Sequence, residues 1–431
     1  MILALRRNGF RGAFLVALFA LPAPRGHASG FAVDNQGARA MGFAGACVAQ
    51  AADPSAIFYN AAGVAFLKGR QISLNGGLGS FATDFSAEGP EPPVGTFEQT
   101  ERKITALPSL YYTQQVADRL VVGLGFNSPF ATRSQWKDPD RFTGRYICTD
   151  CEIRSWSLNP TVAYKIEDRL AVGIGVDLRF SSFRLDRRLN AVPEVPAQTV
   201  DVAAQTLASS TDTGFGFNVG LMASPSETVT FGIAYRHQVQ AAYEAVADFS
   251  QIRTGDGAVD ALVAAHMPAS QAVTVVHMLP SCLAAGLAVR RGDWMIEGDL
   301  AWTFWSSFDS VEVRYATTPG LSASLPQAYE SVLQGRLGVE YLLSRTWSVR
   351  GGYSYDHGPQ PTSTVSPFLH DSNRHGFGLG GTWKYDKVSV DLVARYLPFR
   401  SRSTRGQSQY GYDGRYETSA FQLGVGFGYR F

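Results

Sequence analysis

The residues best equipped for chemistry are charged groups set two apart, Asp177 with Arg179 and Glu297 with Asp299, together with Arg336, Glu340, Arg350, Asp391 and Arg395. Two neighbouring carboxylates such as Glu297 and Asp299 can serve general acid–base catalysis when their surroundings drive their proton affinities apart. The rest of a catalytic apparatus does not accompany them. The seven histidines show no metal-ligand spacing, and no serine sits in a strand–turn–helix nucleophile motif. No metal, no cofactor and no enzymatic activity are therefore expected; a Ser–His pair assembled only by the fold would be the route to a lipid-acting enzyme. A spacing of two has a simpler meaning. On an extended chain it places both side chains on one face, where charges can bond to one another and to water.

The elements that must position these groups are strands. At residues 420–431, Phe421, Leu423, Val425, Phe427, Tyr429 and Phe431 fall on one side, and Gln422, Gly424, Gly426, Gly428 and Arg430 on the other. Strict alternation means that one face meets an apolar phase. Fourteen such strands can be marked: 71–82, 101–117, 119–131, 152–166, 169–184, 212–223, 228–243, 277–290, 293–314, 332–343, 346–357, 373–385, 388–399 and 416–431. Each can cross a bilayer at a tilt, for which ~9–11 residues suffice. Tight polar turns near 117–119, 167–169, 224–227, 291–293, 344–345 and 386–387 alternate with long segments near 83–100, 132–151, 185–211, 244–276, 315–331, 358–372 and 400–415. Short periplasmic turns and long outer loops in alternation are the plan of an outer-membrane barrel. The fold class is thus all-β, a 14-stranded antiparallel transmembrane β-barrel in the cell outer membrane, spanning residues 71–431. Outer-membrane lipid surrounds it, and the closing strand ending in Phe431 is the part offered to the barrel assembly machinery.

The amino terminus agrees with export. Arg6, Arg7 and Arg11 precede an apolar core from Ala13 to Ala23, with small residues near Ala28, so residues 1–28 read as a signal peptide. Removing them takes away four arginines and no acid, so the formal charge of +1 becomes −3, and neither value suggests nucleic acid. In an exported chain Cys148 and Cys151 are expected to form a disulfide within the second long loop. Cys47 and Cys282 could both face the lumen, where two free thiols are the simpler state.

Glycine is abundant, 44 of 431 residues, against a usual ~7%. Gly123, Gly125, Gly173, Gly175, Gly376, Gly378, Gly380, Gly424, Gly426 and Gly428 all alternate away from the lipid side. Glycine inside a strand often marks close approach of other backbone. The small, apolar segment 29–70 is the expected occupant, a plug folded inside the barrel.

At this point the residues resemble a known family, the outer-membrane long-chain fatty-acid transporters (FadL-type), which include importers of toluene-like hydrocarbons. The resemblance covers nearly the whole mature chain. Its residues are Ser29-Gly30-Phe31-Ala32-Val33, Ala40-Met41-Gly42-Phe43-Ala44-Gly45 and the stretch from Asp53 to Gly63. Further matches are Asn127-Ser128-Pro129-Phe130-Ala131-Thr132, Leu279-Pro280 with Ala301-Trp302-Thr303-Phe304-Trp305-Ser306, and Thr364 to Arg374. One departure is that the family's Asn-Pro-Ala reads Asn60-Ala61-Ala62. The resemblance implies passive uptake of hydrophobic molecules, with capture by outer loops, a plug that includes Phe31, Asn60, Ala61 and Ala62, and sideways exit near strand three. Long-chain fatty acids lead as cargo, with aromatic or other hydrocarbons as the alternative; a polar-solute porin and an adhesin are readings of other kinds.

The exit can be argued chemically. Pro129 has no N–H to donate to a neighbouring strand, so Asn127, Pro129 and Phe130 form the expected lateral gate, unless Pro129 simply ends the strand. Apolar residues in two outer segments, among them Val202, Leu207, Leu262, Val263 and Met267, suggest a binding patch or a lid packed on itself. A fatty-acid carboxylate would want a cation, and Arg179, Arg236, Arg336 and Arg350 are the inward candidates.

Overall fold

The computed structural model describes residues 30–431, so the expected signal peptide and Ser29 lie outside the described residues. The wall is a closed antiparallel barrel of fourteen staves. They are β1 Arg70–Ala87, β2 Lys103–Ala117, β3 in two pieces (Leu120–Asn127 and Ala131–Gln135), β4 Asp150–Glu167 and β5 Leu170–Leu189. Next come β6 Asp212–Ala223, β7 in two pieces (Val229–Arg236 and Val239–Gln251), β8 in two pieces (Gln271–Leu279 and Cys282–Arg291) and β9 in two pieces (Trp294–Thr303 and Ser310–Tyr315). The last are β10 Val332–Leu342, β11 Trp347–Asp356, β12 Arg374–Tyr385, β13 Val388–Pro398 and β14 Gly414–Arg430. β14 closes the ring on β1, with every rung from Gln71 opposite Arg430 to Ala87 opposite Gly414.

The alternation dictates which side meets lipid. Phe421, Leu423, Val425 and Phe427 are all 44–50% exposed, whereas Gln422 between the first two is 3% exposed. Apolar side chains cover the outside of every stave, and aromatic rings mark its edges as in other outer-membrane barrels. Trp347 lies opposite Trp383, and Trp294 opposite Tyr341, next to the short turns. Among the described residues no helix is long and apolar enough to cross a membrane.

Four staves are less regular than the alternation suggested. The breaks fall at Ser128–Phe130, at His237–Gln238, at Pro280–Ser281 and between Phe304 and Asp309. Two of these contain a proline, which cannot donate a rung. The long outer segments also carry structure of their own: a strand at Ala203–Ser209 bridges β5 to the upper part of β7, and a helix runs from Gly257 to His266. The helix begins where Asp256 accepts from the N–H groups of Ala258 and Val259, the ordinary way of satisfying the first turn.

Inside the ring lies the segment from Gly30 to Gly69, with short helices at Ala38–Gly42 and Ala56–Tyr59 and a 3₁₀ turn at Ala61–Phe66. Most of its residues are buried. The wall makes room for it with glycine. At Gly173 a Cβ would overlap the Ala61 carbonyl, and at Gly220 it would overlap the Asn60 side chain, so neither position tolerates a larger residue at this approach. Gly175, Gly376 and Gly428 instead meet side chains of neighbouring staves.

Candidate functional site

The wall is incomplete in one place. β2 pairs with β1 along Lys103–Gln114, but with β3 only from Leu110 to Ala117. The upper piece of β3, Ala131–Gln135, is laddered to β4, and the opening is closed at its top, where Gln135 O accepts from the Glu101 N–H at 2.7 Å and the Lys137 N–H donates to Gln99 O at 2.9 Å. Lys103–Ser109 and Ala131–Gln135 therefore face each other without a shared ladder. Pro108, which has no N–H to leave unmet, sits on this open edge.

Backbone groups freed in a bilayer must find partners, and at the break the inner segment supplies them. The Val33 N–H donates to Pro129 O at 2.8 Å, and the Ala131 N–H donates to Phe31 O at 3.1 Å. Gln36 serves Ser128 from both sides, its Nε2 donating to Ser128 O at 2.6 Å and its Oε1 accepting from the Ser128 N–H at 3.1 Å. Asn127, Pro129 and Phe130 thus lie together at the edge of the opening. The Phe31 ring packs edge-on against Phe130, Trp305 and Phe308, with centroids 5.9, 4.9 and 5.3 Å away.

Two cavities flank the segment. An outer one of ≈ 170 Å³ lies behind the open ladder, between Leu107 of β2, Ala131 of β3, and Arg374 and Arg395 of the far wall. An inner one of ≈ 110 Å³ lies between Asn60 and Ala61 below and Phe130, Arg236 and Arg336 around it. Ala32, Val33 and Asp34 line both. They are the partition.

The partition is held by charge. Asp34 accepts from Arg395 at 3.1 Å and from Gln334 at 3.0 Å, and faces Arg336 at 3.6 Å. Arg374 is bound to Asp356 at 3.0 Å. Arg395 Nε has no hydrogen-bond partner among the described residues. In the loop above, burial pushes His370 down to about 4 and Asp371 up to about 7, the latter opposed by Arg374 and Arg402. At neutral pH His370 is uncharged, so the positive charge of the outer cavity comes from Lys103 at the opening and from arginines, Arg374 and Arg395 among them.

A second grip lies on β9. Asp299 accepts from the N–H groups of Cys47 and Val48 at 2.7 and 3.1 Å, and Glu297 accepts from Ala49 at 2.6 Å. The carboxylate pair is therefore spent on holding backbone. Asn60 is equally occupied: its side-chain N–H₂ donates to Val48 O and Leu221 O, and its oxygen accepts from the Ala62 N–H.

The other residues singled out in the sequence are dispersed. Val202 and Val263 are fully buried in a small cluster under the outer loops, with Met267 packed against it. Leu262 is 42% exposed, and Leu207 belongs instead to the large apolar cluster that includes Phe31, Phe183 and Trp305. None of the five lines either cavity. Of the arginines proposed for a carboxylate, Arg179 and Arg236 are paired with Asp177, and Arg350 with Asp391 and Glu340. Only Arg336 approaches Asp34, while Arg374 and Arg395, not singled out for that role, line the outer cavity. Asp34 was missed altogether; a lone acid after the apolar Phe31-Ala32-Val33 was the available signal. Cys148 and Cys151 are bonded to each other, and Cys47 and Cys282 are free. Among the described residues no group of three or more His, Cys, Asp or Glu could hold a metal.

Comparison with known proteins places this architecture. Over residues 19–431 the chain matches the family model described as outer membrane protein transport protein (OMPP1/FadL/TodX). It is 22% identical over 370 residues to the long-chain fatty acid transport protein of Salmonella typhi, covering 81% of this chain and 82% of that protein. Among solved structures, a Pseudomonas aeruginosa FadL homologue superposes with a TM-score of 0.81 at 20% identity, over 94% of this chain and all (100%) of that one. The Pseudomonas putida toluene transporter TodX gives 0.71 at 20% identity, over 93% and 99%. The closed fourteen-stave wall and the family match together establish that this chain belongs to the FadL-type outer-membrane transporters of hydrophobic compounds.

Proposed function

We propose that the protein is a passive channel through which long-chain fatty acids enter the cell. Ligand is captured beneath the outer loops, displaces the partition made by residues 31–34 from the break, and leaves sideways between β2 and β3. The observation that carries this reading is the open ladder at Lys103–Ser109 with a cavity directly behind it. A continuous wall offers an apolar molecule no way into the bilayer, whereas here the backbone that meets Pro129 and Ala131 from inside belongs to the inner segment. In this reading Phe31, Asn60, Ala61 and Ala62 act in the plug, and Asn127, Pro129 and Phe130 form the gate. Val202, Leu207, Leu262, Val263 and Met267 cap the site from above rather than lining it.

Fatty acid is favoured over hydrocarbon because the outer cavity is lined by Arg374 and Arg395, and a buried cation in a greasy site selects ligands that carry charge. The second reading, hydrocarbon import, is favoured by the match to the toluene transporter noted above. Uptake of labelled oleate and labelled toluene into cells carrying the full chain, against cells carrying a chain without residues 30–68, tests both. Saturable oleate uptake that becomes unselective leakage on deletion is the expected result; no uptake of either compound would sink the channel reading.

A further inference from the structure

We propose that Asp34 is a built-in stand-in for a ligand's carboxylate: an anionic headgroup entering the outer cavity takes over Arg395 and Arg374, and the displaced Asp34 frees Phe31–Val33 from the β3 break. The proposal rests on the channel reading and names the headgroup class the channel answers to.

Position comes first. Asp34 lines both cavities, so it stands where a molecule passing from the outer to the inner one must go. Its carboxylate bridges Arg395 of the outer cavity to Arg336 of the inner one. Neither cavity alone, ≈ 170 and ≈ 110 Å³, reaches the ~300 Å³ at the small end of ordinary ligand pockets. A long-chain ligand fits only when the partition between them has moved.

Charge comes next. Arg395 and Arg374 face Asp34 and Asp356, while Arg336 is opposed by Asp299 as well as by Asp34, so Asp34 is shared between two arginines. Asp371, raised to about 7 by burial, lies beside Arg374 and Arg402. Among the described residues Arg395 Nε has no hydrogen-bond partner. The cluster is therefore suited to an exchange of anions at Arg395 and Arg374.

Exchange is the inexpensive route. Pulling a carboxylate away from buried arginines leaves those charges uncompensated, which is strongly unfavourable. Replacing it with another carboxylate keeps the number of ion pairs constant, so the barrier to freeing Asp34 is lowered only by a ligand that brings its own charge. A hydrocarbon of the same length brings none. The mechanical link is short, because the residue before Asp34 is Val33, whose N–H closes on Pro129 O.

The test compares oleate with oleyl alcohol, which share a tail and differ in charge, binding to the purified full chain in proteoliposomes. Asp34→Asn removes the competitor and should raise the affinity ratio of oleate to oleyl alcohol by about tenfold; Arg395→Met should lower it by about fivefold or more. A ratio unchanged or lowered by Asp34→Asn overturns the proposal. A second measurement needs no variant. Amide exchange at Val33 and Ala131 of the natural chain should accelerate with oleate and not with oleyl alcohol; equal protection with both ligands overturns the exchange mechanism. If oleyl alcohol binds and oleate gains nothing from its charge, the exchange alone fails. If neither binds, the channel reading fails with it.

Discussion

On the β9 side of the lumen, three consecutive N–H groups of the inner segment, at Cys47, Val48 and Ala49, are gripped by Glu297 and Asp299 from an unbroken piece of wall. On the β3 side, the same segment closes a break with two backbone bonds at Phe31 and Val33 and the side chain of Gln36. Three adjacent backbone N–H groups share two carboxyl side chains there, and the lower piece of β9, Trp294–Thr303, is laddered to both neighbours along its whole length. The segment is therefore moored to β9 by its backbone, whereas at the β3 break it is held by a few neutral bonds and, from across the lumen, by the exchangeable ion pairs of Asp34. Motion is expected to start at residues 31–36 and to leave 47–49 in place.

The sharpest way to break this contrast is to remove the carboxyl groups of the mooring. In the double variant Glu297→Gln, Asp299→Asn, the acceptors of three backbone N–H groups become amides, at a loss of about 1–3 kcal/mol in all. Amide exchange at 47–49 should accelerate by about tenfold or more, with little change at Val33. Equal acceleration at both places would mean that the segment moves as one body. A smaller effect is expected at the opposite side. Pro129→Val supplies an N–H and lets the ladder of β3 run on, so oleate uptake should fall about fivefold; undiminished uptake would mean that Pro129 only ends a strand. The smallest effect concerns the hinge. Ala61 is the first residue of the 3₁₀ turn behind Asn60, a position where proline is welcome. Ala61→Pro, which restores the Asn-Pro-Ala of the family, should shift thermal stability by no more than the equivalent of about 0.5–1 kcal/mol. A large loss would show that the mooring depends on the backbone freedom at that residue.

Much of the wall could be read from alternation, because the lipid phase tests every second side chain from Leu74 to Phe427 and leaves a period of two in the chain. A break was legible only at Pro129, where proline advertises a missing donor; the alternation runs on through Pro280 as one strand over 277–290, although that residue carries the same mark. The breaks at His237–Gln238 and after Phe304 have no such mark, since they depend on how staves from distant parts of the sequence meet. The glycines announced that something presses on the wall, and Gly173 and Gly220 do face the inner segment. Which arginines border the cavity was not legible. Arg179 and Arg374 are both lumen-facing by pattern, and only the three-dimensional arrangement packs the first against Asp177 and Phe130 and sets the second, paired with Asp356, on the edge of the cavity.

The seam between β1 and β14 has a consequence for assembly. Its rungs join residues 71–87 to residues 414–430, the widest sequence separation in the wall, and long-range pairings of this kind are slow to form. The inner segment immediately precedes β1 in the chain and bonds to it, the Ala38 N–H donating to Asn75, so it is at hand as a form for the sheet to curl around before β14 arrives.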